Sequence, residues 1–530
     1  VSWRSTRASG QLADPRLGPR RVAVADLGSN SWRLVVFTYG EGPWWKRTDE
    51  LYETVRIGAG LAASGELGEP AMTRGLETLT VFARFCRAAR IAAEDIHVVA
   101  TSAIRDAGNG AAFLERAERE TGLSIEVLGA REEAYFGYVA AVNTTTLVDG
   151  AVLDLGGGSL QLISVAGRRP GRLVSFPLGA VRITEEFLGA DPERPTKRKE
   201  LGRVRARAHA VLAAGAPWLA ECRGDPPRLV GLGGAARNLA AAAAAAAGAL
   251  DLGVQGFVLT RERLSELVAE LAALPAAERG ALPGIKPGRG DIILAAALVL
   301  ETVLEAGEFA GIEVTEAGLR EGVFLARTLL DPDEPLIDDV RAAAVENLAI
   351  QYESDLPHVR HVTRLALQMF DSLVSGGLLA PLADERELLW AAAMLHDVGM
   401  TISYDDHHKH SRYLIEAAEL PGFDPRERAL IAQITRYHRK GMPKLGAIEP
   451  FTRPADESLL ERGATLLRLA EHLERGRDQS VSEACLQPDG DGVGLQLVAG
   501  GDLTLPRWSV ERYGDGEAFE RVFGRPLVIG

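Results

Sequence analysis

The chain has little of what would cross-link it, anchor it in a membrane or coat a nucleic acid. Only 3 of its 530 residues are cysteines, and Cys86, Cys222 and Cys485 are scattered along its length. Three dispersed thiols exclude a disulfide framework and a cysteine-built zinc site, and they fit a reducing cytoplasm. Long hydrophobic runs are also missing. The longest, the alanine-rich Leu239–Leu250, falls far short of the ~20 residues a spanning helix needs, so no membrane partner is expected. Positive charge is in deficit, with 59 Lys+Arg against 73 Asp+Glu and a formal net charge of −14. That balance argues against bulk nucleic-acid binding, which shows as a basic face, but leaves room for a polyanion in a locally basic groove. No apolar signal core follows the Arg-rich start, and residues 1–20 read as a loose leader.

What is present is ordinary globular composition, 46% hydrophobic and 25% charged, which excludes a disordered or fibrous chain. At about 150 residues per domain the length predicts three or four domains. From Arg21 to about Leu329, short apolar runs (Val22–Ala25, His97–Ala100, Ile125–Leu128, Ala151–Leu153, Leu229–Gly231) alternate with amphipathic stretches such as Gly110–Thr121 and Arg261–Leu274. Such alternation predicts an α/β architecture. The segment Asp331-Pro332-Asp333-Glu334-Pro335 reads as a linker. Beyond it the periodicity turns helical, and eight of the ten histidines fall between His358 and His472. The last stretch returns to apolar alternation at Val493–Val498 and suggests a small β-containing tail. The expected organisation is 1–20 leader, 21–143 and 144–330 two halves of an α/β core, 338–480 a helical domain, and 481–530 the tail.

One internal repeat stands out. Asp26-Leu27-Gly28-Ser29-Asn30-Ser31-Trp32-Arg33-Leu34 and Asp154-Leu155-Gly156-Gly157-Gly158-Ser159-Leu160-Gln161-Leu162 share the frame D-L-G-x-x-S-x-x-L. Each copy reads as a strand, a tight turn and a returning strand. Glycine lets successive backbone N–H groups converge on an anion. Ser29, Asn30, Ser31 and Ser159 add side-chain donors there, and Asp26 and Asp154 put carboxylates where a hard cation such as Mg²⁺ fits. Two copies facing each other would grip a phosphate chain and its metal from both sides. The bland alternative, two glycine hairpins with Asx turns, does not account for five shared positions.

A third glycine turn, Gly231-Leu232-Gly233-Gly234-Ala235-Ala236-Arg237-Asn238, opens a helix and so attracts anions, although tight strand-to-helix packing explains it as well. Thr101–Asn109 follows a strand, at the end of a sheet where ligands bind in open α/β folds, and its Arg105 can fork onto phosphate. In Arg131-Glu132-Glu133-Ala134 two acids open a helix; chemistry alone reads them as complementing the helix dipole.

These segments, with Leu178–Arg182 and Leu319-Arg320-Glu321-Gly322, together and in this order resemble the exopolyphosphatase/guanosine pentaphosphate phosphohydrolase (Ppx/GppA) family over roughly residues 21–327. The resemblance implies a duplicated RNase H-like core of the actin/sugar-kinase/heat-shock type, followed by an all-α HD-like domain and the small tail. It implies hydrolysis of terminal phosphate from inorganic polyphosphate with Mg²⁺, or from guanosine pentaphosphate, by a cytoplasmic homodimer. It assigns Glu133 as the catalytic carboxylate that activates water. Asp154, with Asp26, would hold Mg²⁺. Gly28, Ser29, Asn30, Arg105, Gly156, Gly157, Gly158 and Ser159 would bind phosphate. The chain departs from the family at Gln161, where members commonly carry Glu; this predicts weakened or altered metal dependence and favours, as an alternative, a regulator that binds polyphosphate or nucleotide without turnover. Leu160 and Ala235 replace threonines common in the family. A sugar- or acetate-type kinase on the same fold has no residue in its favour.

In the helical part, His358, His396-Asp397 and Glu471 resemble the HD metal constellation, imidazole and carboxylate being suited to a divalent metal. Glu471 stands where HD phosphohydrolases have Asp, and His361 is an alternative to His358. His410 and His438 follow on later helices. The residues by themselves favour the plainer reading, a set of buried histidines satisfied by neighbouring helices beside a basic groove for phosphate, with metal binding as the alternative. The basic run from Arg194 to Arg207 reads as a solvated helix face or a steering surface for a polyanion.

Overall fold

The computed structural model describes residues 18–529 apart from 41–43, 190, 223, 225, 249–251 and 514–515. Most of the expected leader, up to residue 17, lies outside the described residues.

The first sheet contains β1 (Arg20–Leu27), β2 (Trp32–Tyr39), β3 (Trp45–Glu53), β4 (Ile96–Ala100) and β5 (Ile125–Val127) in the order β3-β2-β1-β4-β5. The first three form an antiparallel meander, and β4 and β5 add in parallel on the far side of β1. The second sheet repeats this. Its strands are β6 (Gly150–Leu155), β7 (Leu160–Ala166), β8 (Arg169–Phe176), β9 (Arg228–Leu232), β10 (Phe257–Thr260) and β11 (Gly311–Val314), in the order β10-β11-β9-β6-β7-β8. Here β6 to β8 form the meander, β9 and β11 run parallel, and β10 caps the edge antiparallel. The duplication expected from the repeat is therefore a duplication of topology.

Side-chain alternation explains the layers. A strand points successive residues to opposite faces. Val22 and Val24 of β1 enter one core, while Ala23, Ala25 and Leu27 enter another. In the second half Val152 of β6 joins the same core as Val22, while Ala151 and Leu153 face outward into a third. Both sheets are buried on two faces, so their strands read as continuous apolar runs. The shared middle layer is built around two helices, Ala130–Val142 and Leu319–Phe324, which pack on each other. The first lies on the second sheet and the second on β1, so each half lends a helix to the other. Phe324 stacks on Phe37 of β2 with ring centroids 4.3 Å apart.

The helical domain comprises six principal helices, Val340–Gln351, Leu356–Ser375, Glu385–Leu395, His407–Ala417, Pro425–Arg436 and Asp456–Leu473. Asp339, Asp355 and Asp424 cap three of them, each side chain accepting a backbone N–H in the first turn. The tail adds the hairpin β12 (Val481–Asp489) and β13 (Gly492–Ala499), two short helices, and β14 (Leu527–Ile529) parallel to β13. Val481, Leu486, Val493 and Phe519 share one core with the six helices. Among the described residues no helix is long and apolar enough to cross a membrane.

Candidate active site

The two D-L-G-x-x-S segments form equivalent hairpin turns. Asp26 pairs with Arg33 and Leu27 with Trp32 across the first; Asp154 pairs with Gln161 and Leu155 with Leu160 across the second. Trp32 donates its indole N–H to the Gly28 carbonyl at 3.1 Å, and in the second turn Gly156 N–H reaches the Ser159 carbonyl at 3.0 Å. The turns meet tip to tip. A Cβ at Gly157 would stand 3.2 Å from the Ser29 Cβ, and one at Gly158 would stand 2.5 Å from the Ser102 hydroxyl, so glycine is what allows the approach. Ser29 and Ser102 hydroxyls lie 3.2 Å apart at this junction.

Behind the turns Asp26, Asp154 and Glu133 line one cleft with Arg33, Arg237, Arg289 and Arg320. Burial pushes Asp154 up to about 6, with Asp26 adding to the rise, and burial likewise raises Asp26 against the pull of Arg320 and Arg33. Asp26 faces Arg320 at 3.8 Å. The third glycine turn is shaped around the same carboxylate: Gly233 has φ +92°, and a Cβ there would sit 2.8 Å from Asp154 Oδ1.

Glu133 sits in the first turn of the helix Ala130–Val142, in the seam between the halves. Burial pushes its carboxyl up to about 7; Arg105 opposes the shift, and Asp154 and Asp26 add to it. Arg105 donates to Glu133 Oε2 at 2.9 Å and to the Leu128 carbonyl at 2.9 Å. The arginine expected to bind phosphate is thus turned onto the carboxylate. Gln161, buried opposite Asp154, donates to the Ser159 hydroxyl at 2.8 Å.

A cation and an anion both fit these residues. Asp26 and Asp154 are half-buried like charges, and Asp26 hinders the ionisation of Asp154, which a divalent ion held between them would relieve. Asn30 Nδ2 and Arg320 Nε are buried donors without a hydrogen-bond partner, as expected of groups awaiting phosphate oxygens.

Sequence reasoning named the acids and both turns but did not assign the four arginines. Arg237 and Arg320 lie within segments already singled out, and Arg33 stands inside the repeat. Arg289 comes from a short 3₁₀ turn, Pro287–Arg289, with no pattern to mark it. Asn109, in the Thr101–Asn109 segment, instead clamps the Leu67 backbone through both amide atoms. The basic run starts before its helix, Arg198–Gly215, and is partly neutralised, Arg194 by Glu200 and Arg205 by Glu301. In the helical domain His358, His396, Asp397 and Glu471 do converge, joined by His438 and by His407, which sequence reasoning had not picked out. His361 is committed elsewhere, its Nε2 bonded to the Val481 carbonyl at 2.9 Å.

A duplicated α/β core whose paired glycine turns close on three half-buried acids and four arginines has the chemistry that phosphoryl transfer asks for. Comparison with known proteins places it more narrowly. The model of the Ppx/GppA phosphatase family matches residues 46–330, and that of Ppx/GppA phosphatase domain III matches residues 340–498. The chain belongs to this family and is a hydrolase of phosphoric anhydrides. It is 29% identical over 485 residues to a guanosine-5'-triphosphate,3'-diphosphate pyrophosphatase from Vibrio vulnificus, covering 90% of this chain and 92% of that one. A protein of the same name from Aliivibrio fischeri is 28% identical over 503 residues, covering 93% and 95%. The crystal structure of an exopolyphosphatase from Cytophaga hutchinsonii is 24% identical with a TM-score of 0.52, covering 58% of this chain and 97% of that one, and shares the fold of the core.

Proposed function

We propose that the chain is an exopolyphosphatase that removes the terminal phosphate of inorganic polyphosphate. The observation that carries the reading is a half-buried carboxylate, Glu133, sharing with two phosphate-type turns a cleft lined by four arginines. Transfer of a phosphoryl group asks the protein mainly for positioning and charge stabilisation. The turn N–H groups and the arginines hold the terminal phosphate. Glu133 orients a water and takes its proton as the oxygen bonds to phosphorus and the anhydride bond to the next phosphate breaks. Asp26 and Asp154 would hold Mg²⁺, which when bound supplies charge neutralisation at the phosphate oxygens. Arg105, bonded to Glu133, positions that base.

A second reading, removal of the terminal phosphate of guanosine pentaphosphate, is favoured by the names of the two curated relatives. Against it, the lining of the cleft among the described residues is acids, arginines and glycine turns without an aromatic ring, which suits a bare phosphate chain; the one ring at its edge, exposed Tyr52, is already stacked on Arg33 at 4.9 Å. The test is phosphate release with Mg²⁺ from long-chain polyphosphate and from guanosine pentaphosphate in parallel. Faster release from polyphosphate is expected; the reverse order would transfer the assignment to the nucleotide. Binding without release from either substrate would make the protein a non-catalytic regulator. Glu133→Gln, which keeps the shape and removes the base, is expected to cut release about 10²–10⁴-fold while leaving substrate binding in place.

A further inference from the structure

The helical domain gathers a second cluster that the cleft chemistry does not use. His358, His396 and Glu471 present three ligand atoms all within 4.8 Å of one another, and so do Asp397, His407 and His438. Five of the six residues are buried.

Hydrogen bonding settles which ring nitrogens face inward. His396 Nδ1 meets the Ala393 carbonyl at 2.7 Å, His407 Nδ1 the Tyr404 carbonyl at 2.9 Å, and His438 Nδ1 the Thr435 carbonyl at 2.7 Å. A carbonyl only accepts, so each Nδ1 carries a proton, and each ring turns its Nε2 into the cluster, where a neutral ring offers a lone pair. That is the backbone support metal-ligating histidines use to fix their tautomer. With neutral rings, acceptor stands against acceptor. His407 Nε2 lies 3.1 Å from His438 Nε2 and 3.4 Å from Asp397 Oδ1. His396 Nε2 lies 3.2 Å from Glu471 Oε2. His358 Nε2 is also 3.2 Å from Glu471 Oε2, yet neither of its ring nitrogens makes a hydrogen bond.

Such an arrangement is costly unless cations sit inside it. Two donors bound at ~2.1 Å to one ion with angles of about 90–110° stand roughly 3.0–3.4 Å apart, which is the spacing of two of the three donor pairs in each triad, the third lying within 4.8 Å. Asp397 joins the triads. Its Oδ1 faces His396 at 3.7 Å and His407 at 3.4 Å, and its Oδ2 faces His358 at 3.7 Å and Arg477 at 2.7 Å.

We propose that the helical domain holds a dinuclear centre for borderline divalent transition ions, with His358, His396 and Glu471 on one ion and Asp397, His407 and His438 on the other. Four imidazoles and two carboxylates select the zinc, iron and cobalt type of ion over Mg²⁺. The centre is therefore distinct in chemistry, as well as in place, from the Asp26/Asp154 cleft.

The test uses the full chain, stripped with chelator, reloaded with Zn²⁺ and desalted, with retained zinc measured by mass spectrometry. About two ions per chain are expected in the wild type and in Asp154→Asn, and about one in His407→Ala/His438→Ala. Because alanine leaves buried space, His438→Gln serves as the conservative partner, and circular dichroism checks the fold of each variant. Reloading with Co²⁺ gives a second readout: visible d–d bands that change when His407 and His438 are replaced. Fewer than about two zinc ions in the wild type, or a zinc count and Co²⁺ spectrum indifferent to His407 and His438 in folded variants, would overturn the proposal and leave protons as the cations in the cluster.

Discussion

As the proposed base, Glu133 must be ionised to accept a proton, yet the cleft that would shelter the reaction also disfavours its charge. Burial raises its carboxyl to about 7, so the base is only partly ionised at neutral pH, and its proton affinity is correspondingly well matched to taking a proton from water. The expected consequence is a kcat/KM for phosphate release that falls as pH drops below about 7, because protonated Glu133 cannot act. Arg105 sets where that limb lies. Its guanidinium, 2.9 Å from Glu133 Oε2, favours the carboxylate and works against desolvation. Replacing it by methionine keeps the aliphatic bulk and removes the charge, so Glu133 should titrate higher still. In Arg105→Met the acid limb is expected to move alkaline by about one pH unit, with activity recovering at high pH. A pH–rate profile whose limb stayed in place, only lower at every pH, would instead give Arg105 a direct role on substrate, as the sequence alone had suggested. Such a profile separates positioning from binding where a single rate does not.

At the scale of elements, the site depends on how closely two crossover helices approach. A Cβ at Gly322, on the helix Leu319–Phe324, would fall on the Phe136 carbonyl oxygen of the Glu133 helix, and backbone cannot yield as a side-chain tip can. Gly322→Ala is therefore expected to destabilise by about 1–3 kcal/mol, seen as a lower urea midpoint, and to depress kcat by moving Glu133 from its turns. Gly202 is the control. It lies within the helix Arg198–Gly215, and a Cβ there meets nothing within 4 Å, so Gly202→Ala should raise stability by about 0.5–1 kcal/mol through helix propensity. The opposite signs separate close packing from backbone entropy. Elements also differ in how plainly they show in the sequence. The two hairpins were legible because duplication wrote the same turn twice around buried strands. Strand β3, WKRTDELYE, was not, since it is an exposed edge strand whose charges guard against edge pairing and leave no apolar alternation. The metal-type cluster was half legible. His396-Asp397 is a recognisable pair, but choosing His407 over His410, both in one helix, depends on the backbone carbonyl of Tyr404 that holds the ring, and a sequence does not display that.

The helix that carries the proposed base also helps join the core to the helical domain. Asn143 caps the C-terminus of Ala130–Val142 and is buried. Its side-chain amide donates to the Pro335 carbonyl at 2.7 Å and to the Val139 carbonyl at 2.9 Å, and its oxygen accepts the Ile337 N–H at 2.6 Å. One side chain thus ties the linker to the α/β core. Further bonds flank it, from Gly422 N–H to the Thr144 carbonyl at 3.0 Å and from Trp45 N–H to Asn347 at 2.9 Å. Removing the amide strands a buried carbonyl and a buried N–H on the linker, at about 1–3 kcal/mol for each. That is enough to open the linker locally, since the small cluster around Ile337 and the packing of Leu330 and Leu336 on the middle core are what else hold it. It is not enough to move Glu133, because Ala134 and Phe136–Val142 bury the rest of that helix in the middle core. Asn143→Ala is expected to speed limited proteolysis within residues 331–339 several-fold while phosphate release from a short polyphosphate stays within about twofold of wild type. Loss of both protection and activity together would mean that the helix transmits the disturbance along its length, and that the helical domain governs the cleft through Asn143 rather than merely resting beside it.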